Sequence, residues 1–281
     1  ALEEWTNLCD MATYRAMTKM LTKLHSQIVP VEVRMTLREI SMKFVPLIIL
    51  QLEGKVPQKF LAGRVQCASK FVQLLRRLLN VIETGQYAAK VLLSSTERAQ
   101  MYNDWKSVDI VRICKFELTC AASDVENAYT ILQNEVPALF QSRDQATLGD
   151  TNANATDSLE QFLRFLARLP SKFSISLRLY LLQVTNLLSS CLREMSLAGG
   201  QGFGSWWVVR CWVDEFNQWL FELGGMLQEE LDNEEVLEQH KEPEDSPEND
   251  LVDLLGVAFE KDTIENVDDT SFTIENFLGR S

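Results

Sequence analysis

"GGQGFGSWWVVRCWVDEFNQWLFELGG", residues 199–225, holds four of the six tryptophans of this 281-residue chain. Placed on a helix, Val209, Trp212, Val213, Phe216, Trp219, Leu220 and Leu223 fall on one stripe at i, i+3, i+4, i+7 spacing. Such a stripe suffices to dock a helix on its own domain. Trp207, Cys211 and Phe221 project toward the opposite side, interrupted by Asp214 and Gln218. A surface helix seldom carries large aromatics on its second face. Either the domain covers both faces or a partner covers the second, and aromatic residues are favoured at such contacts.

The glycines before this helix are not a nucleotide loop. A P-loop requires Lys-Ser/Thr after its last glycine, and "GFGSW" has no lysine. A dinucleotide fingerprint needs G-x-G-x-x-G after a strand; here the spacing is G-x-G-x-G after a helical segment. The stretch reads as an interhelical turn, with Ser205 as the expected N-cap of the Trp-rich helix.

Working outward, helical periodicity recurs along the chain. Residues 2–25 form one unit, with Leu8, Met11, Tyr14/Arg15, Met17/Thr18 and Leu21 close to the 3.6 period and Pro30 closing it. Residues 31–52 continue helical, with a kink or break expected at Pro46. Residues 59–83 are expected to end at Thr84–Gly85. Their "LRRLL" (75–79) resembles a receptor-docking motif, but Phe71, Leu74, Leu75, Leu78 and Val81 form an ordinary buried stripe. Ser94 and Ser95 are N-cap candidates for the next helix. A helix is expected over 108–121, though "VDIVRICKF" has some strand character, and helices over 123–141, 159–169 and 174–197, with an exposed polar loop at 142–157. Strand signals are nearly absent. The fold class is all-α: a multi-helix body with an acidic, largely irregular C-terminal tail.

Charge divides the chain at the same place. Net charge is −13. Residues 229–281 hold 18 acidic and three basic residues, leaving 22 acidic and 24 basic in 1–228. The expected organisation is a nearly neutral helical body, 1–228, and an acidic tail, 229–281. Short apolar islands interrupt the tail at "LVDLLGVAF" (251–259) and at the echo "DTIENV" and "FTIENF". Such segments dock on partners, fold back on their own domain or stay disordered. Neither half carries a basic surface suited to phosphates.

Catalytic signatures are missing. The two histidines, His25 and His240, are expected to face solvent, and no metal-binding or nucleophile motif occurs. The six scattered cysteines form no C-x-x-C and read as reduced thiols. No apolar run reaches the roughly 18 residues of a membrane span, and the acidic first residues show no signal-peptide pattern. We expect no enzyme, no cofactor, no metal and no membrane partner.

The order of certain short blocks resembles the regulatory factor X (RFX) transcription factors. "WTNLCDMATYRAMTKML" (5–21) carries Trp5, Cys9-Asp10 and Tyr14. Residues 78–110 carry Ala88-Ala89 and then Met101, Asp104, Val108 and Asp109. The long helix before Phe203-Gly204-Ser205 and the Asp214-Glu215-Phe216 core after it match the family's last block. The Trp-rich version is most similar to fungal members, and the resemblance covers roughly 1–225. It implies a region that pairs two copies of a regulator, downstream of a winged-helix domain that binds X-box promoter DNA. No basic recognition helix occurs in 1–281, so no DNA-contacting residue carries over. The expected role is homodimerisation in the nucleus, with Trp207, Cys211 and Phe221 as interface candidates and transcriptional co-regulators as partners of the acidic tail. The alternative is a helical adaptor that binds a different protein through the Trp-rich helix or the tail.

Overall fold

The computed structural model describes residues 2–141 and 151–237, with 151–158 and 227–237 described for their backbone alone. It is all-α, with no strand among the described residues. The helices are α1 (Leu2–Thr22), α2 (Val31–Leu52), α3 (Gln58–Leu93), α4 (Ser95–Trp105), α5 (Ile110–Glu117), α6 (Ala122–Thr130), α7 (Val136–Gln141), α8 (Thr151–Arg168), α9 (Leu177–Leu197) and α10 (Phe203–Leu237). A 3₁₀ turn, Lys23–Ser26, follows α1, and a π turn, Ile131–Glu135, joins α6 to α7.

Helix α3 is the centre. It packs against α1, α2, α8 and α10. Its buried side chains include Phe71, Leu74, Leu75, Leu78, Val81 and Ile82. Within the "LRRLL" segment all three leucines are buried, so the motif is core and no peptide surface. Its arginines bind neighbours: the Arg76 guanidinium donates to the Ser41 carbonyl at 2.8 Å, and Arg77 pairs with Glu222 at 2.9 Å.

The expected stop at Thr84–Gly85 is not a stop. α3 runs on to Leu93, because Gly85 serves packing rather than termination. A Cβ there would lie 3.1 Å from Trp212 Nε1 and 3.4 Å from its Cδ1. The missing side chain makes room for the fully buried Trp212 indole. A glycine mid-helix costs about 1 kcal/mol against alanine, and here the indole's burial offsets it.

Prolines also punctuate less than expected. Pro46 lies inside a continuous α2. It leaves the Met42 carbonyl without its helical donor, but Met42 and Pro46 are both exposed, where water replaces the lost bond. Pro137 sits in α7, directly after the π turn, whose wider winding accommodates a ring with no N–H to give. Pro30 and Pro57 occupy N-cap positions, of α2 and α3. Ser94 caps α4, accepting from the Glu97 N–H.

Two boundaries move. α8 begins at Thr151, so part of the expected 142–157 loop is helical, and 142–150 lies outside the described residues. The expected body boundary at 228 falls inside α10, which continues to Leu237. Residues 238–281, with the apolar islands and His240, lie outside the described residues.

His25 is not at the surface. It is 2% exposed and stacks on Trp219, with ring centroids 5.4 Å apart. Its Nδ1 faces the Thr22 carbonyl. Burial lowers its pKa, and the Thr22 contact opposes that only in part. The unfolded chain therefore binds a proton near pH 6.5 that the folded chain refuses. Stability from this site is present above pH 6.5 and is lost as pH falls below it, toward the folded value. The chain should melt at lower temperature at pH 5.5 than at pH 7.5, and H25F should remove part of that difference. Thermal melts of both at the two pH values measure it; an identical pH response in parent and H25F contradicts this account of His25.

Candidate protein-interaction surfaces

The blocks that carry the sequence resemblance meet in space. Asp104, at the end of α4, reaches the glycine turn, and its Oδ2 accepts the Gly202 N–H at 2.7 Å. A carboxylate here takes the N–H of the residue that opens α10, as the acidic member of a capping box does, and complements the positive end of the helix dipole. The expected cap, Ser205, does something else. It lies within α10, and its hydroxyl donates to the Glu97 carboxylate.

The glycines have distinct duties. Gly199 takes φ +74°, the left-handed conformation that ends α9, while the Gly200 N–H returns to the Met195 carbonyl at 2.8 Å. A Cβ on Gly200 would lie 2.9 Å from that carbonyl oxygen, and one on Gly202 would lie 2.8 Å from Asp104 Oδ2. The turn is thin so that α4 can approach it.

Trp206, for which the sequence offered no role, completes the joint. Its indole N–H donates to the Met101 carbonyl at 3.0 Å, and its ring stacks on Trp105 at 5.2 Å. Trp105 in turn donates to the Leu132 carbonyl at 3.0 Å. The other quoted residues are also structural. Asp10 takes a bidentate pair from Arg64 at 2.7 and 2.8 Å, tying α1 to α3. Asp109 caps α5, and its own N–H donates to Glu194 at 2.7 Å.

The inner stripe of α10 is as expected. Val209, Trp212, Val213, Phe216, Trp219, Leu220 and Leu223 are all buried. On the outer side Trp207 is 50% exposed, Phe221 is 38% exposed and Cys211 is partly buried. Phe203 stacks near Trp207 with centroids 6.4 Å apart, and the Arg210 guanidinium lies 5.5 Å over the Trp207 ring. Arg210 also pairs with Asp214 at 3.3 Å. Burial raises the Asp214 carboxyl and Arg210 opposes it. Burial and then Asp214 push the Cys211 thiol up, so it stays protonated at neutral pH and acts as a packing group.

A second apolar surface was not expected. Of the 22 residues of α2 only Ser41 is buried. Val31, Met35, Met42, Leu47 and Leu50 are each at least half exposed. On α1, Leu2, Trp5, Leu8 and Met20 are exposed, Leu8 against the inward placement its spacing suggested. Among the described residues no group of three His, Cys, Asp or Glu gathers to hold a metal. No described helix is long and apolar enough to cross a membrane.

These features define a helical module whose motif residues lock its fold and whose outer faces are apolar. The sequence model described as the RFX BCD domain matches residues 1–224. The chain is 37% identical over 244 residues to "Transcriptional regulator RFX1" of Candida albicans, covering 86% of this chain and 28% of that protein. It is 33% identical over 252 residues to "Protein sak1" of Schizosaccharomyces pombe, covering 84% and 32%. It is 25% identical over 220 residues to human "Transcription factor RFX3", covering 78% and 29%. No solved structure matches it. The chain belongs to the RFX family. It spans about a third or less of the length of these relatives, two of which are named as transcription regulators.

The joint between α4 and the glycine turn makes a direct prediction. G202A should destabilise the fold by about 1–3 kcal/mol, the usual range for overpacking. D104A should cost about 1 kcal/mol, as for a lost cap. The two should couple, with G202A costing less once the carboxylate is gone. Denaturant unfolding of the four proteins measures this; strict additivity contradicts the contact.

Proposed function

We propose that this chain is the homodimerisation module of an RFX-type regulator, one that reads X-box promoter DNA through a winged-helix domain outside these 281 residues. Family membership supports the reading, and the apolar residues left exposed on neighbouring α1 and α2 carry it. A helix apolar on both faces is normally covered on both, yet these two are covered on one. Pairing would hold two DNA-reading domains together, so that the second half-site binds at high effective concentration. The site of action is the nucleus. The outer face of α10, with Trp207, Cys211 and Phe221, contributes to pairing, and the acidic tail contacts transcriptional co-regulators. The chain's own charge, −13 overall, gives DNA no basic face to bind.

Sedimentation equilibrium tests pairing. At tens of micromolar the chain should show twice its mass of 32.1 kDa. A monomer at that concentration overturns the proposal and leaves the adaptor reading. W207S/F221S should weaken the dimer several-fold with little change in stability, because both rings are partly in solvent already. An unchanged dimer constant removes α10 from the interface without touching pairing itself. The isolated chain should also bind X-box and random DNA equally weakly at physiological salt; a preference near the 10⁻⁸ M typical of specific binders would contradict the absence of a DNA-reading element.

A further inference from the structure

One pattern on α1 has no counterpart among the described residues. Leu2, Trp5, Cys9, Ala12, Ala16 and Met20 are all exposed. The first five follow 3-4-3-4 spacing, the seam of a coiled coil. At 100° per residue all six fall within an arc of about 80°. The opposite side of the same helix faces the core, where Tyr14 stacks on Phe71 at 5.4 Å. The helix thus has one face docked on α3 and one uncharged face bare.

We propose that this seam pairs with the same seam of a second copy, antiparallel, about a two-fold axis between Cys9 and Ala12. The inference rests on the homodimer reading and names its surface. Two features select the occupant and the direction. The first is size. Running antiparallel sets Trp5 against Ala16 of the second copy, Cys9 against Ala12 and Leu2 against Met20. Each bulky group then meets a small or flexible one. A parallel pair would set Trp5 against Trp5 and Ala16 against Ala16, splaying one end and leaving the other hollow.

The second feature is area. The exposed parts of Leu2, Trp5, Leu8 and Met20 come to roughly 500 Å², at the upper end of what soluble monomers leave bare. Two copies together bring roughly 1,000 Å², close to the smallest specific interfaces. An isologous contact is self-complementary in this way, residue i meeting j and j meeting i.

The experiment uses the full 281-residue chain. A12E/A16E places two carboxylates on the exposed seam, at positions where glutamate suits a helix and touches no core residue. Its dimer constant, from sedimentation, should be weakened at least 100-fold, more than in W207S/F221S, while helical circular dichroism is unchanged. A dimeric parent with an equally strong A12E/A16E dimer overturns the seam and leaves homodimerisation standing. A monomeric parent overturns the homodimer reading itself.

A second arm does not depend on how the glutamates are tolerated. In a C9S background, L2C/M20C should form a covalent dimer under mild oxidation, and A16C alone should not, since a disulfide needs Cα atoms within about 7 Å. Self-crosslinking by A16C without a product from L2C/M20C overturns the antiparallel direction. No crosslink from either, with a dimeric parent, overturns the seam.

Discussion

Gly85 leaves α3 room for the Trp212 indole, which a Cβ there would crowd at 3.1 Å, and the rest of the body is arranged around that contact. The two longest helices among the described residues pack along each other there. Trp212, Phe216 and Trp219 enter the core from α10, while Phe71, Leu78 and Val81 enter from α3. His25 extends the same aromatic layer from the end of α1, against Phe216 and Trp219. Helix α10 is held in this position from its start, by Asp104 on the Gly202 N–H and by Trp206 between α4 and α7. A bulkier residue at 85 would crowd α10 against α3, and one at 202 would crowd the start of α10 against α4.

Much of this was legible in the sequence because it rests on periodicity. The buried stripe of α10 and the buried leucines of α3 follow from 3.6-residue spacing alone. What failed were local rules overridden by distant contacts. Gly85 has the local signature of a helix end, yet its use is to admit an indole 127 positions later in the chain. Ser205 has the signature of a cap, but a carboxylate from α4 reached the helix end first. His25 sits at the end of an amphipathic helix, where polarity suggests solvent, and only the approach of Trp219 buries it. The seam of α1 was readable as a 3-4 pattern, but the inner stripe of the same helix is stronger and masks it.

The residues that carry the family likeness and the residues that face solvent have separate duties. Asp10, Asp104 and Asp109 bind backbone or arginine groups within the chain, and Phe203-Gly204-Ser205 opens α10, where Ser205 binds Glu97 of α4. They fix a fold. The apolar residues on the outside of α1, α2 and α10 do no such work within one copy. On this account the first set gives the family a common frame, and the second sets what the frame holds.

Hydrogen exchange as a function of protein concentration tests the central claim without any substitution. Between sub-micromolar and about 100 micromolar chain, amides of α1 should become slower to exchange, and those around the α3–α10 contact should keep the same high protection. Protection that rises only outside α1, or that does not change with concentration while the mass remains that of one chain, would contradict the account.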